Sequence, residues 1–188
     1  GYNAPMALWV RGSQTSLDRL SKSVAVVGSR GATTYGEFAT EAVVAALVEK
    51  GISIISGGAY GIDAMAHKST LALQGNTVAV MAGGIDKLYP SGNSQLLKRV
   101  TETGAVLSEM PPGSIPTKWR FLQRNRLIAH AKCDYIFFLD ADELITPALQ
   151  EELQALVQSN AKAVWQIQWR MVAYGHELKY YISRSKVE

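Results

Sequence analysis

The sequence predicts an α/β protein, a three-layer fold around a mainly parallel sheet of about six strands. Two observations carry this. Short apolar, β-branched runs alternate with longer segments of helical period, and glycine clusters fall where the buried runs stop. The 188 residues suit a single domain of this kind, over 1–188, with a substantial core.

The elements follow in order. Val24 to Val27 is the first strand, and its helix runs from about Tyr35 to Lys50, with Val43, Val44, Leu47 and Val48 as the buried stripe and Gly51 as the stop. Ile52 to Ile55 is the second strand, followed by a helix from about Gly61 to Gln74. Thr77 to Met81 is the third, with a helix over Asn93 to Thr103, and Ala105 to Ser108 is the fourth. After the PPGSIP loop, Phe121 to Lys132 reads as a helix and Tyr135 to Leu139 as the fifth strand. Pro147 to Val157 then reads as a helix and Ala163 to Val172 as the sixth strand.

Composition narrows the classes. No apolar run reaches transmembrane length, and the opening GYNAPMALWVRG lacks a signal-type region, so a soluble, cytoplasmic protein with no membrane partner is expected. The single cysteine, Cys133, has no partner for an internal disulfide or a cysteine metal site, and is expected as a small buried side chain. The net charge of +3 is unevenly placed: residues 1–130 hold 13 Lys and Arg against 8 Asp and Glu, whereas 131–188 hold 6 against 8. The basic character therefore belongs to the glycine-rich part, which favours nucleic acid or nucleotide as the ligand.

The glycine-rich strand ends VAVVGSR, ISIISGGAYGID, VAVMAGGID and SEMPPG would line one edge of the sheet with backbone N–H groups free to meet phosphate. In VVGSRGATT, Ser29 can donate to a phosphate oxygen and Arg30 adds a fork-shaped cation. Neither G-x-G-x-x-G nor G-x-x-x-x-G-K-[ST] occurs, so a dinucleotide fold and a phosphate-loop NTPase are unsupported. Asp63, in the first turn of its helix, reads as a cap or loop brace rather than an acid catalyst, and His67 as a packed or surface side chain. Tyr89 either stacks on a base or plugs its loop. In TKWRFLQRNR, Lys118, Arg120, Arg124 and Arg126 are interleaved with Trp119 and Phe121, which suits the phosphates and bases of single-stranded nucleic acid. The same pattern fits an amphipathic helix with both aromatics in the core.

LWVRG, VAVVGSR, SGGAYGIDAMAH, GGIDKLYPSGN, SEMPPG and RFLQRNRLIA stand in the order found in the DprA/Smf DNA-processing proteins, and over about Ala7 to Ala129 the chain resembles that family. The resemblance implies a Rossmann-like fold and a non-enzymatic, cofactor-free role. That role is to bind and protect single-stranded DNA and hand it to a RecA-type recombinase during DNA uptake in natural transformation. The implied partners are single-stranded DNA and the recombinase, with a homodimer left open. Carried over by position, Ser29 and Arg30 would hold phosphate, and Gly57 and Gly58 would allow close backbone approach. Lys118 would hold a second phosphate, Phe121 would be a base platform, and Arg124 and Asn125 of the RNR motif would complete the pocket.

Beyond this body, 1–131, the segment 132–188 departs from the family. Where relatives usually carry a small-residue S-G-[SA]-L-I-T turn, this chain has DADELIT, and KCDYIFFLDADELITPALQEELQAL resembles the middle of a family 2 glycosyltransferase of GT-A fold. That resemblance implies that Asp140 and Asp142 would hold a divalent metal, Mg or Mn, with a sugar nucleotide. Two alternatives to DNA binding follow: a glycosyltransferase-like remnant, or a composite, chimeric chain that folds without binding.

Overall fold

In the computed structural model, residues 7–130 and 135–139 are described, together with 155, 172–173 and 176–177. The strands are β1 (Trp9–Gly12), β2 (Ser23–Gly28), β3 (Ser53–Gly57), β4 (Thr77–Val80), β5 (Ala105–Ser108) and β6 (Tyr135–Leu139). They form a six-stranded sheet in the order β1-β5-β4-β3-β2-β6. β2 to β6 run parallel, while β1 pairs antiparallel with β5.

The helices are α1 (Gln14–Asp18), α2 (Thr34–Glu49), α3 (Ile62–Ala72), α4 (Ser94–Thr103) and α5 (Lys118–His130). Strand side chains alternate between two faces, and this alternation sorts the core into layers. Val24, Val26 and Ile54 point to α2 and α3, where Val44, Leu47, Ile62 and Ala66 meet them. Ala79, Met81 and Val106 continue that layer against Leu97 and Val100 of α4. On the other face Ala25, Ile55, Val78, Val80 and Leu107 pack against Ile128 of α5 and Leu17 of α1.

The mainly parallel α/β fold is as expected, with one correction. β1 was not foreseen, because all four of its residues are exposed and carry no apolar alternation. The expected helix 147–157 and sixth strand 163–172 lie outside the described residues except at positions 155 and 172. Val172–Ala173 pairs with His176–Glu177 in a separate two-stranded ladder, β7 and β8. Cys133, Asp140 and Asp142 also fall outside the described residues. Among the described residues no helix is long and apolar enough to cross a membrane.

The strand order places the site. Strands β2 to β5 are laid down outward in one direction and β6 is then added on the other side of β2, so the order reverses at β2. In open parallel sheets the crevice beyond the strand ends at such a reversal is where ligands bind. β2 ends there at Gly28, opposite Leu139 of β6.

Candidate nucleic-acid interface

The turn leaving β2 holds Ser29 and Arg30. Ser29 is half-buried and its Oγ accepts from the Gly31 N–H at 3.2 Å, while Arg30 is exposed. Its backbone is anchored from across the edge, because the Ile62 N–H donates to the Ser29 carbonyl at 3.1 Å. Gly61, at φ +73°, makes this approach possible, since a Cβ there would collide with the Ser29 and Arg30 carbonyls.

Beneath the turn lies an ion pair. Arg124 Nη1 of α5 stands 3.4 Å from Asp63 Oδ2 of α3, both side chains almost fully buried, and 3.4 Å from the Val80 carbonyl. Gly57 has no side chain because the Arg124 guanidinium occupies the place a Cβ would take. Asp63 also accepts from the backbone N–H groups of Gly28 and Ala59. Burial raises its carboxyl above the ordinary 3.8, against the opposing pull of Arg124 and those two donors. Burial likewise lowers the Arg124 guanidinium against the pull of Asp63. The pair ties the ends of β2, β3 and β4 to α3 and α5.

His67 is a second buried brace. Its Nε2 lies 2.9 Å from the Gly57 carbonyl, which can only accept, so Nε2 carries the proton, and Nδ1 lies 2.7 Å from the Thr77 hydroxyl. Complete burial lowers its pKa from 6.5 to about 4. Asn93 braces the neighbouring loop, donating through Nδ2 to the carbonyls of Gly58 at 3.0 Å and Ala59 at 2.9 Å.

Above this base sits Phe121, half-buried. The Arg30 guanidinium lies over its ring at 5.0 Å and that of Arg124 at 5.7 Å, while the Tyr89 ring leans on it at 6.1 Å and 55°. Thr117 caps α5 by accepting from the Arg120 N–H at 3.4 Å, which sets Lys118 in the first turn. Lys118 is exposed and, three residues before Phe121, neighbours it on the helix. The loop before α5 is pinned by the Gly113 N–H donating to Asp86 Oδ1 at 2.8 Å, a bond that holds the Asp86 carboxyl below its ordinary value.

At the strand-end edge Arg30 thus meets Phe121, with Ser29 next to Arg30 in the chain and Lys118 three residues before Phe121 on α5. Three residues depart from expectation. Arg124 is 7% exposed and serves Asp63, so it is a buried brace beneath Phe121 instead of a surface contact. Gly57 and Gly58 are both buried, and the room they leave is filled from inside the protein. Gly57 admits Arg124, and a Cβ at Gly58 would press on the Tyr89 carbonyl, Met81 and Leu97. Asn125 is exposed on α5. Trp119, at 67% exposure, is no core residue, and Tyr89 both packs on Phe121 and keeps 47% of its surface in solvent. The role of Asn93 was not foreseen; its position at the end of GGIDKLYPSGN was the available signal.

Fold and site define a Rossmann-like α/β protein with a cationic, aromatic cluster of side chains where its strand order reverses. The model of the DNA recombination-mediator protein A family matches residues 1–144, and the chain belongs to this family, that of the DprA/Smf proteins. A second model, glycosyl transferase family 2, matches residues 119–184. The chain is 46% identical over 127 residues to a putative DNA processing protein DprA of Mycobacterium tuberculosis, covering 68% of this chain and 33% of that protein. It is 37% identical over 128 residues to the DNA processing protein DprA of Bacillus subtilis, covering 68% and 43%. The chain therefore spans less than half the length of these relatives. Its fold matches the solved DNA processing protein A of Streptococcus pneumoniae at a TM-score of 0.69 and 34% identity, covering 84% of this chain and 53% of that one. It matches the Helicobacter pylori protein, whose structure addresses single-stranded DNA binding, at 0.67 and 30%, covering 82% and 69%.

Proposed function

We propose that the chain binds single-stranded DNA at the β2 edge, without catalysis. Arg30 and Lys118 take backbone phosphates and Phe121 stacks on a base. The observation that carries this is the exposed Arg30 guanidinium poised 5.0 Å over a half-exposed aromatic ring at the reversal point of the sheet. Cations for phosphate beside an aromatic face for bases are what an unpaired strand requires, because a duplex hides its base faces. The Helicobacter pylori neighbour, studied for its single-stranded DNA binding, supports the same reading. Protection of the strand and its hand-over to a RecA-type recombinase belong to this proposal.

The test is digestion of a labelled single strand by a single-strand exonuclease with increasing amounts of the chain, beside a competing duplex of equal length. Protection that the duplex does not relieve supports the reading. An unprotected strand, or protection removed equally by duplex, overturns it.

A further inference from the structure

The single-strand reading leaves open how Phe121 can serve a base while a cation lies on it. Arg30 sits at 5.0 Å from the ring centroid, within the roughly 6 Å range of a cation–π contact. Arg124 reaches the ring from the protein interior and Tyr89 leans on it from its own loop. Arg30 is itself exposed, over a ring that is only half-buried. A stacked base needs that ring face at van der Waals distance, so the two compete.

Arg30 can leave. The Ser29 carbonyl beside it is fixed by the Ile62 N–H, yet the side chain is exposed, and among the described residues no carboxylate pairs with it. Arg124 sets a like charge beside it, because the two guanidinium groups share one ring. A phosphate offers Arg30 a charge-assisted, two-pronged hydrogen bond, stronger than an exposed cation–π contact.

We propose that Arg30 gates the Phe121 platform. In the free protein its guanidinium covers the ring; a backbone phosphate draws it away, and the adjoining base stacks. Stacking is thereby conditional on a phosphate, so the site selects a polyanionic strand over free bases and nucleosides. This rests on the single-strand reading above.

Two oligonucleotides of one sequence test it, each with a 2-aminopurine reporter, one with phosphodiester and one with uncharged methylphosphonate linkages. Both are titrated against the parent chain, Arg30→Ala and Phe121→Ala, following fluorescence quenching on stacking. Arg30→Ala is expected to weaken the phosphodiester strand and to strengthen the uncharged strand about two- to five-fold, the equivalent of an exposed cation–π contact of about 0.5–1 kcal/mol. Phe121→Ala removes quenching for both. Weaker or equal binding of the uncharged strand by Arg30→Ala overturns the gate, weaker binding making Arg30 itself the stacking surface. A parent chain that binds neither strand overturns the single-strand reading instead, and the gate with it.

Discussion

Arg124 and Asp63 meet inside the protein, 3.4 Å apart, in the space that Gly57 leaves by having no side chain. The same Arg124 lies 5.7 Å from the centre of the Phe121 ring, so the pair underlies the aromatic part of the site.

Gly57→Ala should therefore destabilise the fold by driving the guanidinium off Asp63. Separating a buried pair costs about 3–5 kcal/mol, and Arg124→Leu should cost a similar amount by stranding the carboxylate. Denaturant melts measure both. A Gly57→Ala protein as stable as the parent would show that the guanidinium has another place to go.

Acid should weaken the fold through His67. Its folded pKa of about 4 lies below the ordinary 6.5, so between these values the unfolded chain binds a proton that the folded chain refuses. Its contribution is complete above about pH 6.5 and is lost as the pH falls, roughly 3 kcal/mol in all. Asp63, with its carboxyl raised by burial, works the other way and gains for the fold as the pH falls. Comparing melts of the parent with His67→Gln from pH 7 to 4 isolates the histidine; equal pH slopes would refute the assignment.

Phe121→Ala should cost about 1–3 kcal/mol of single-strand affinity, the worth of one base–aromatic stack. Because the ring is only half-buried, the loss of stability should stay below the 3–5 kcal/mol typical of a core phenylalanine. A large drop in melting temperature with unchanged affinity would make Phe121 a packing residue.

Replacing Asp140 and Asp142 with Ser should strengthen single-strand binding at low salt. Both lie outside the described residues; the last described residue before them, Leu139, pairs with Gly28 of β2, which leads into Ser29. Carboxylates within about 8–10 Å of a bound phosphate would oppose it, a repulsion that salt screens and that Mg or Mn would relieve. Affinity unaltered by the double substitution at low salt would show that the turn faces away.

The parallel strands were legible because buried strands read as short apolar runs between glycines, as in SVAVVG and YIFFL. β1 was not, since WVRG carries no local pattern and exists only through its pairing with β5. Likewise, the arginines of RFLQRNR look alike in sequence. Arg124 is buried because Asp63, 61 residues earlier, waits for it across the sheet edge. Phe121 could be read as core or as platform from its neighbours alone, and the half-buried ring over which Arg30 sits shows why both readings had grounds.

The central claim is that Arg30 and Lys118 meet the phosphates of a single strand beside Phe121. The most direct measurement is the affinity for a fluorescent oligothymidine across a range of salt, for the parent, each single alanine variant and the double variant. The plot of log affinity against log salt should flatten by about 0.7 for each cation removed, and by about 1.4 for both, with the fold intact. Parallel lines for all four proteins would place the strand elsewhere and contradict the account.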